Sequence, residues 1–304
     1  MGRSEDSGIR RFDTMAVVDA HLHLFKPASE QYPRDVFEAM TPVEREEAAE
    51  EFLAAMDNAG VDHAVIVPLS VHDHYLAEIL VEFPGKFAGV GVYDADAEDG
   101  AGQVARRAEQ VGIQGLRFYG FGGEEGQAPD SLAVFPALEA MRDLDMKVWF
   151  YGDPVQVGLL DGVMQALPGL KVVMNHLGFC PDIWMEIAID EDRRPRFDIP
   201  LPPDSMELIE QMAAKHPDDL YVHLSGQYAF TQTPYPYLDL QEVVDRVYAA
   251  FGAGRMLNAS DWPWIKENPG YSEVLSLVDH YLPGIPPEDR AAIRGGTALS
   301  LFDF

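Results

Sequence analysis

The sequence predicts an α/β fold, a distorted (β/α)8 TIM barrel with long loops at the C-terminal ends of its strands. Three observations predict it: eight short β-branched runs, helix-period segments between them, and extra loop length that falls mainly after strands. Strands that alternate with helices pair in parallel, and eight such units make a closed barrel. An open doubly wound sheet is the rival, but the first strand lacks the GxGxxG turn typical of it.

The predicted elements follow one another regularly along the chain. Strands are expected at 16–19, 64–67, 87–92, 114–118, 147–151, 171–174, 220–224 and 256–259. Helices are expected at 43–59, 70–83, 100–111, 131–144, 155–166, 204–216, 239–252 and 271–282. Long connections follow strands one, four, six, seven and eight. Because barrel active sites are built from the loops that follow strands, this distribution favours an enzyme over a scaffold.

The chain is expected to form one domain, over residues 16–304, because no linker-like stretch divides it. Residues 1–15 are polar, lack the apolar core of a signal peptide, and are expected to be a disordered tail. No run of about 18 apolar residues suggests a membrane span. The single cysteine, Cys180, excludes an intramolecular disulfide and suits a reducing cytoplasm.

The charge balance is strongly acidic. The chain has 22 Lys and Arg residues against 51 Asp and Glu residues, a net charge of −29. Such a surface repels phosphate backbones and anionic lipid, so nucleic-acid and membrane partners are not expected. A small-molecule substrate is expected, and a homo-oligomer is left open. Adaptation to high salt and a GC-rich genome explain the acidity equally well.

Ionisable or phenolic side chains follow five of the predicted strands. They are His21 and His23 after strand one, Arg117 at strand four, Tyr151 at strand five, His176 after strand six and Asp261 after strand eight. Residues i and i+2 of a strand share a face, so both histidines of the His-x-His pair can enter the barrel mouth. Each residue alone is compatible with a structural role. Their convergence after strands predicts an active site.

Three other features are interpreted as structural or left open. His223 precedes Ser225 in strand seven, and its direction is not decided by the pattern. The "HDH" cluster at 72–74 has metal-like spacing but lies where the second helix begins. The "GFGGEEG" stretch at 120–126 lacks the GK[ST] of a phosphate-binding loop and is interpreted as a mobile flap.

Four motifs at the strand ends together resemble a known family. "VDAHLHLF", "NHLG", "LSG" and "SDWPW", in that order, resemble the amidohydrolase superfamily of the amidohydrolase 2 type. Within it they are similar to the branch that contains 2-pyrone-4,6-dicarboxylate lactonase and sugar lactonases. The resemblance extends from residue 16 onward. It implies a distorted barrel that hydrolyses carbon–oxygen or carbon–nitrogen bonds.

The resemblance bears on how His21 and His23 are used. Metal-dependent members have a histidine where this chain has Tyr151, and dinuclear members have a bridging lysine where it has Arg117. We therefore expect the pair to position a substrate carbonyl, as in the lactonase branch, whose type enzyme works without metal. The alternative is one divalent ion, Zn²⁺ by its donor set, held by His21, His23 and Asp261.

The expected function is hydrolysis of a lactone. Asp261 would take a proton from the attacking water. Four donors would stabilise the carbonyl oxygen as it gains charge: His21, His23, His176 and Tyr151. Arg117 would pair with an anionic group of the substrate. The alternatives are a mononuclear metal-dependent decarboxylase or amide hydrolase of the same superfamily, and a non-catalytic binding barrel.

Aromatic residues are expected to bind the substrate. They are Tyr228, Trp262 and Trp264. The dicarboxylate lactonase is expected to carry a basic residue after "SG-x-Tyr", where this chain has Ala229. This difference favours an apolar-walled pocket for a ring with few charges.

Overall fold

The computed structural model describes residues 16–179 and 187–304, so the predicted tail and Cys180 lie outside the described residues. Eight parallel strands are neighbours in chain order. They are β1 (Val18–Leu22), β2 (His63–Ile66), β3 (Phe87–Val92), β4 (Gly115–Phe118), β5 (Lys147–Phe150), β6 (Val172–Met174), β7 (Leu220–Leu224) and β8 (Met256–Asn258). Each overlaps a predicted strand, and the predicted (β/α)8 barrel is confirmed.

The barrel closes through the segment that follows β8. The backbone N–H of Asp261 donates to the carbonyl of His21 at 2.9 Å, and that of His23 donates to Trp262 at 2.7 Å. The carboxylate of Asp19 accepts hydrogen bonds from the backbone N–H and the hydroxyl of Ser260, at 2.8 and 2.5 Å. Closure therefore places the "HLH" and "SDW" motifs side by side.

Within residues 16–179 and 187–304, nine helices match the predicted segments and follow the strands. They are α1 (Ala49–Ala59), α2 (His74–Glu82), α3 (Gly100–Gln110), α4 (Phe135–Asp143), α5 (Pro154–Ala166), α6 (Met206–Lys215), α7 (Gln241–Phe251), α8 (Tyr271–Leu275) and α9 (Leu277–Tyr281). Helix α1 starts at Ala49 and not at the predicted residue 43. The reason is that Glu47 pairs with Phe25 through two backbone hydrogen bonds of 2.8 and 3.1 Å. Tertiary pairing there overrides local helix propensity. Among the described residues, no helix is long and apolar enough to span a bilayer.

The chain ends in a helical segment that the sequence analysis did not predict. It consists of α10 (Pro287–Ala291), a π-helical turn (Ala292–Gly296) and α11 (Thr297–Leu301). Ala298, Leu301 and Phe302 pack with Val18 and Leu257 of the barrel interior. This segment therefore covers the end of the barrel opposite the strand C-termini.

The side-chain alternation of β1 changes within the strand. Val18 and Ala20 pack in the barrel interior, whereas Leu22 packs in the outer layer between strands and helices. The pairing of β1 with β2 is irregular between Asp19 and Leu22. Such irregularities re-aim side chains next to active sites. Here the irregularity turns His21 and His23 toward the axis.

Candidate active site

Asp261 lies at the centre of the site, at the point where β8 meets β1. Its Oδ1 atom is 3.3 Å from Nε2 of His23 and 3.8 Å from Nε2 of His21. Its Oδ2 atom accepts a hydrogen bond of 2.7 Å from the Tyr228 hydroxyl and lies 4.0 Å from Nδ1 of His176. The structure therefore brings three predicted histidines and one predicted aromatic residue to one carboxylate.

The two histidines of β1 occupy different depths. His23 lines the inner cavity at the barrel mouth, and its Nδ1 atom is 2.9 Å from the carbonyl oxygen of Val67. His21 is fully buried, does not line that cavity, and packs against Trp149 and His223 with ring centroids 4.9 and 5.2 Å away. His21 lies one layer below the cavity. It reaches the site through its Nε2 atom, which lies 3.8 Å from Oδ1 of Asp261.

His176 is held by a tight turn after β6. Its own φ of 48° is left-handed, and Gly226, with φ of 73°, packs against its ring. A Cβ on Gly226 would lie 2.7 Å from Nδ1 of His176, so a side chain there would displace the imidazole. The same Nδ1 atom is 3.0 Å from the hydroxyl oxygen of Ser225. The turn and its neighbours fix the ring toward the cavity.

Burial sets the charge states of the site. Burial by itself would raise the pKa of Asp261, but His176, His23 and Tyr228 outweigh it and lower the pKa to about 2. Burial lowers the pKa of His176 to about 4, since the attraction of Asp261 only partly opposes it. Burial also raises the pKa of Tyr228 well above its usual value. At neutral pH the site holds an ionised Asp261, a neutral His176 and a protonated Tyr228.

The inner cavity above Asp261 has a volume of about 100 Å³ and mixed walls. Arg117, Tyr151, Tyr228 and Trp264 line it, together with apolar side chains that include Phe197 and Phe230. Nε of Arg117 has no hydrogen-bond partner among the described residues, and its guanidinium lies 4.7 Å from the Tyr119 ring. A buried guanidinium with an unpaired Nε donor suits an anionic or carbonyl group.

The structure corrects one of the predicted substrate-binding residues. Trp262 does not line the inner cavity. Its ring packs in the outer layer against Phe52 and Tyr271, with centroids 5.3 and 5.6 Å away. The reason is that the segment after β8 pairs with β1: the backbone N–H of His23 donates to the carbonyl of Trp262 at 2.7 Å.

The donor atoms near Asp261 fit a divalent metal ion. The Val67 carbonyl can only accept, so Nδ1 of His23 donates to it. The other ring nitrogen, Nε2, lies 3.3 Å from Oδ1 of Asp261. Nε2 of His21 and Oδ1 of Asp261 have no hydrogen-bond partner among the described residues. The ligand atoms of His21, His23 and Asp261 all lie within 4.8 Å of one another. Two imidazoles and a carboxylate suit Zn²⁺.

Other residues of the site were not assigned from the sequence. The side-chain amide of Asn175 lies 3.1 Å from Nδ1 of His223 and 3.5 Å from Nδ1 of His21. With Trp149, these residues form the floor of the site. The i, i+2 spacing of His223 and Ser225 is the signal that could have shown that both face inward.

The remaining sequence features are structural. Asp73 forms a two-point ion pair with Arg107, with distances of 2.6 and 2.7 Å, next to the start of α2. In the "GFGGEEG" stretch, the side chain of Gln156 accepts from the N–H of Phe121 at 2.7 Å, and Phe121 is buried. The stretch is therefore anchored at Phe121, and its mobility as a flap stays a prediction.

With the geometry described, comparison with known proteins identifies the family. The model of the amidohydrolase family matches residues 18–304. The chain belongs to this family. It is an enzyme of the hydrolase type, and the predicted resemblance is confirmed.

Similar proteins include lactone hydrolases. An L-fucono-1,5-lactonase from Burkholderia ambifaria is 24% identical over 298 residues, which is 94% of each chain. A Pseudomonas putida structure proposed to be a 2-pyrone-4,6-dicarboxylic acid hydrolase has a TM-score of 0.68 and 21% identity, with coverage of 94% of this chain and 97% of the other. A Burkholderia multivorans amidohydrolase with bound zinc has a TM-score of 0.72 and 20% identity, with coverage of 94% and 98%.

Proposed function

We propose that this amidohydrolase opens a cyclic ester by attack of water on its carbonyl carbon. The observation that carries the proposal is the position of the Asp261 carboxylate at the cavity, with the Tyr228 hydroxyl on Oδ2 and with Oδ1 directed at the imidazoles of the mouth. A carboxylate held in this way is ready to accept a proton from water. The similarity to a fucono-lactonase supports an ester as the substrate.

The proton pathway follows from the charge states. Oδ1 of Asp261 takes a proton from the attacking water as the new C–O bond forms. The same proton is then available to the ring oxygen when the ring C–O bond breaks, which leaves a hydroxy acid. The low pKa of Asp261 disfavours a lasting proton on it, so delivery to the ring oxygen is favourable.

Four side chains of the mouth would stabilise the carbonyl oxygen or bind the substrate. His176 and Tyr151 line the cavity and would donate hydrogen bonds as charge develops on the carbonyl oxygen. Arg117 would bind an anionic or carbonyl substituent through its guanidinium, whose Nε donor has no partner among the described residues. Trp264 would form part of an aromatic wall.

The metal proposal concerns His21, His23 and Asp261, which would hold one divalent cation, Zn²⁺ by their donor set. Such an ion supplies Lewis-acid polarisation of the carbonyl and lowers the pKa of a bound water. We expect the purified enzyme to contain about one equivalent of metal by elemental analysis, and chelation to lower kcat. Full kcat without metal would instead support the expectation that the His-x-His pair positions the carbonyl by hydrogen bonding.

The function is tested by a substrate screen. Neutral lactones and aromatic carboxylic acids are supplied in parallel, and acid production and CO₂ release are measured. We expect acid from lactones and no CO₂. Release of CO₂ without ring opening would favour the decarboxylase alternative, and tight binding without turnover would favour a binding barrel.

A further inference from the structure

A second, wider cavity adjoins the inner cavity. It has a volume of about 390 Å³ and is lined by Asp35, Phe37, Met40, Thr41, Leu69, Tyr119 and Ile187. Four of these residues, Met40, Leu69, Tyr119 and Ile187, line the inner cavity as well. The two spaces therefore adjoin each other. We call the second space the outer groove.

We propose that the outer groove binds an apolar alkyl or aryl extension of the substrate while its reactive ester lies in the inner cavity. The inference rests on the proposed lactonase function and adds a substrate class: lactones with an apolar side chain, rather than rings that carry only hydroxyl groups. The inner cavity alone is below the roughly 300–1,000 Å³ of typical ligand pockets, whereas the outer groove lies within that range.

The walls of the outer groove are apolar and exposed. Phe37 and Tyr119 are 47% and 40% exposed, although large hydrophobic side chains are usually covered. Apolar surface in water is unfavourable, and contiguous patches of it mark binding sites. An apolar substituent seated between Phe37, Met40 and Tyr119 would remove this surface from water.

The outer groove is held in shape by its own loop. The guanidinium of Arg34 donates hydrogen bonds to the carbonyls of Thr41 and Pro42, at 2.9 and 2.6 Å. The backbone N–H groups of Met40 and Thr41 both donate to the carbonyl of Phe37, at 2.8 and 2.6 Å. Because these bonds involve only the chain itself, Phe37 and Met40 are positioned before a substrate arrives.

Charge indicates which extension the groove accepts. Asp35 is the only charged residue among the described residues that line the groove. Its carboxylate, on a chain of net charge −29, disfavours an anionic extension. The position of the groove beside the cavity above Asp261 favours part of a substrate over a second copy of the chain as the occupant.

The test measures kcat/KM for three δ-lactones that differ only in the side chain: δ-valerolactone, δ-octalactone and δ-decalactone. We expect kcat/KM to rise by roughly threefold to fourfold per methylene that enters the groove. Phe37→Ser should lower the ratio of decalactone to valerolactone activity by about tenfold, whereas Phe37→Leu should largely preserve the ratio.

The matched control is Val36→Ser. Val36 is on the same loop and is 45% exposed, but it does not line the groove, so the ratio should stay unchanged. Equal kcat/KM for the three lactones in the unmodified enzyme would overturn the inference. An equal decrease in the ratio of decalactone to valerolactone activity in Phe37→Ser and Val36→Ser would also overturn it. A change of oligomeric state in Phe37→Ser with an unchanged ratio would also overturn it and would assign the surface to a contact between copies.

Failure of the proposed function is separable from failure of the groove. If no lactone is hydrolysed, binding of cyclohexanone and 3-pentylcyclohexanone is compared by calorimetry. Tighter binding of the pentyl compound that is lost in Phe37→Ser supports the groove without lactonase activity. Equal affinities overturn the groove.

Discussion

The two ends of the barrel use polar groups in opposite ways. At the mouth, Asp261, His21 and Arg117 are buried and keep polar atoms without partners among the described residues. At the opposite end, the hydroxyl of Thr297 donates to the carbonyl of Ala253 at 3.1 Å, and the amide of Gln114 donates to Asp303 at 2.6 Å. Burying polar groups without partners destabilises a protein. The contrast indicates that the mouth serves chemistry and the closed end serves stability.

The largest expected effect is at the mouth. Asp261→Asn keeps the size of the side chain but removes the base, so kcat on a lactone should fall by roughly 10³-fold or more. The structure should persist, and thermal unfolding followed by circular dichroism checks this. Turnover close to that of the unmodified enzyme would remove Asp261 from the mechanism.

At the closed end, Leu301→Ala should act on stability instead. Leu301 is buried in the barrel interior, so the free energy of unfolding should fall by about 2–5 kcal/mol, measured by urea titration. Leu299→Ala on the same helix is the control, because Leu299 is 39% exposed and should change the stability by less than about 0.5 kcal/mol. Below the unfolding transition, kcat of both variants should be retained.

A pair of glycine substitutions compares the ends directly. Gly226→Ala adds a Cβ against His176 at a left-handed φ, so kcat should fall by about 10²-fold through displacement of the imidazole. At the closed end, Gly254→Ala meets no atom within 4 Å and should leave kcat unchanged. Equal kcat in the two variants would contradict the positioning of His176 by Gly226.

The smallest expected effect is a pH dependence of stability at the mouth. The pKa of His176 is about 4 in the folded protein and about 6.5 when unfolded, so the unfolded state binds the proton first as the pH falls. Stability is therefore lost as the pH falls from 6.5 toward 4. When the pH is lowered from 7 to 5, the free energy of unfolding should fall by about 1–2 kcal/mol less in His176→Gln than in the unmodified enzyme. Urea titration at both pH values measures this difference. An equal fall in the free energy of unfolding in the two proteins would show that His176 is already protonated in the folded protein at pH 5.

The sequence predicted the fold and the proximity of several residues of the candidate site. Short β-branched runs and helix-period segments specify the eight strands, because local periodicity decides which face of each element is buried. Since the ends of parallel strands converge at one mouth, the positions of Asp261, His176 and Arg117 in sequence implied their proximity.

Tertiary structure alone decided depth and direction. His21 lies below His23 because the pairing of β1 with β2 is irregular, and strand alternation does not predict where an irregularity falls. Trp262 packs outward because the segment after β8 pairs with β1. The outer groove likewise depends on how the loop around Arg34 folds back on itself. These features arise from contacts between distant parts of the chain, which local sequence patterns do not encode.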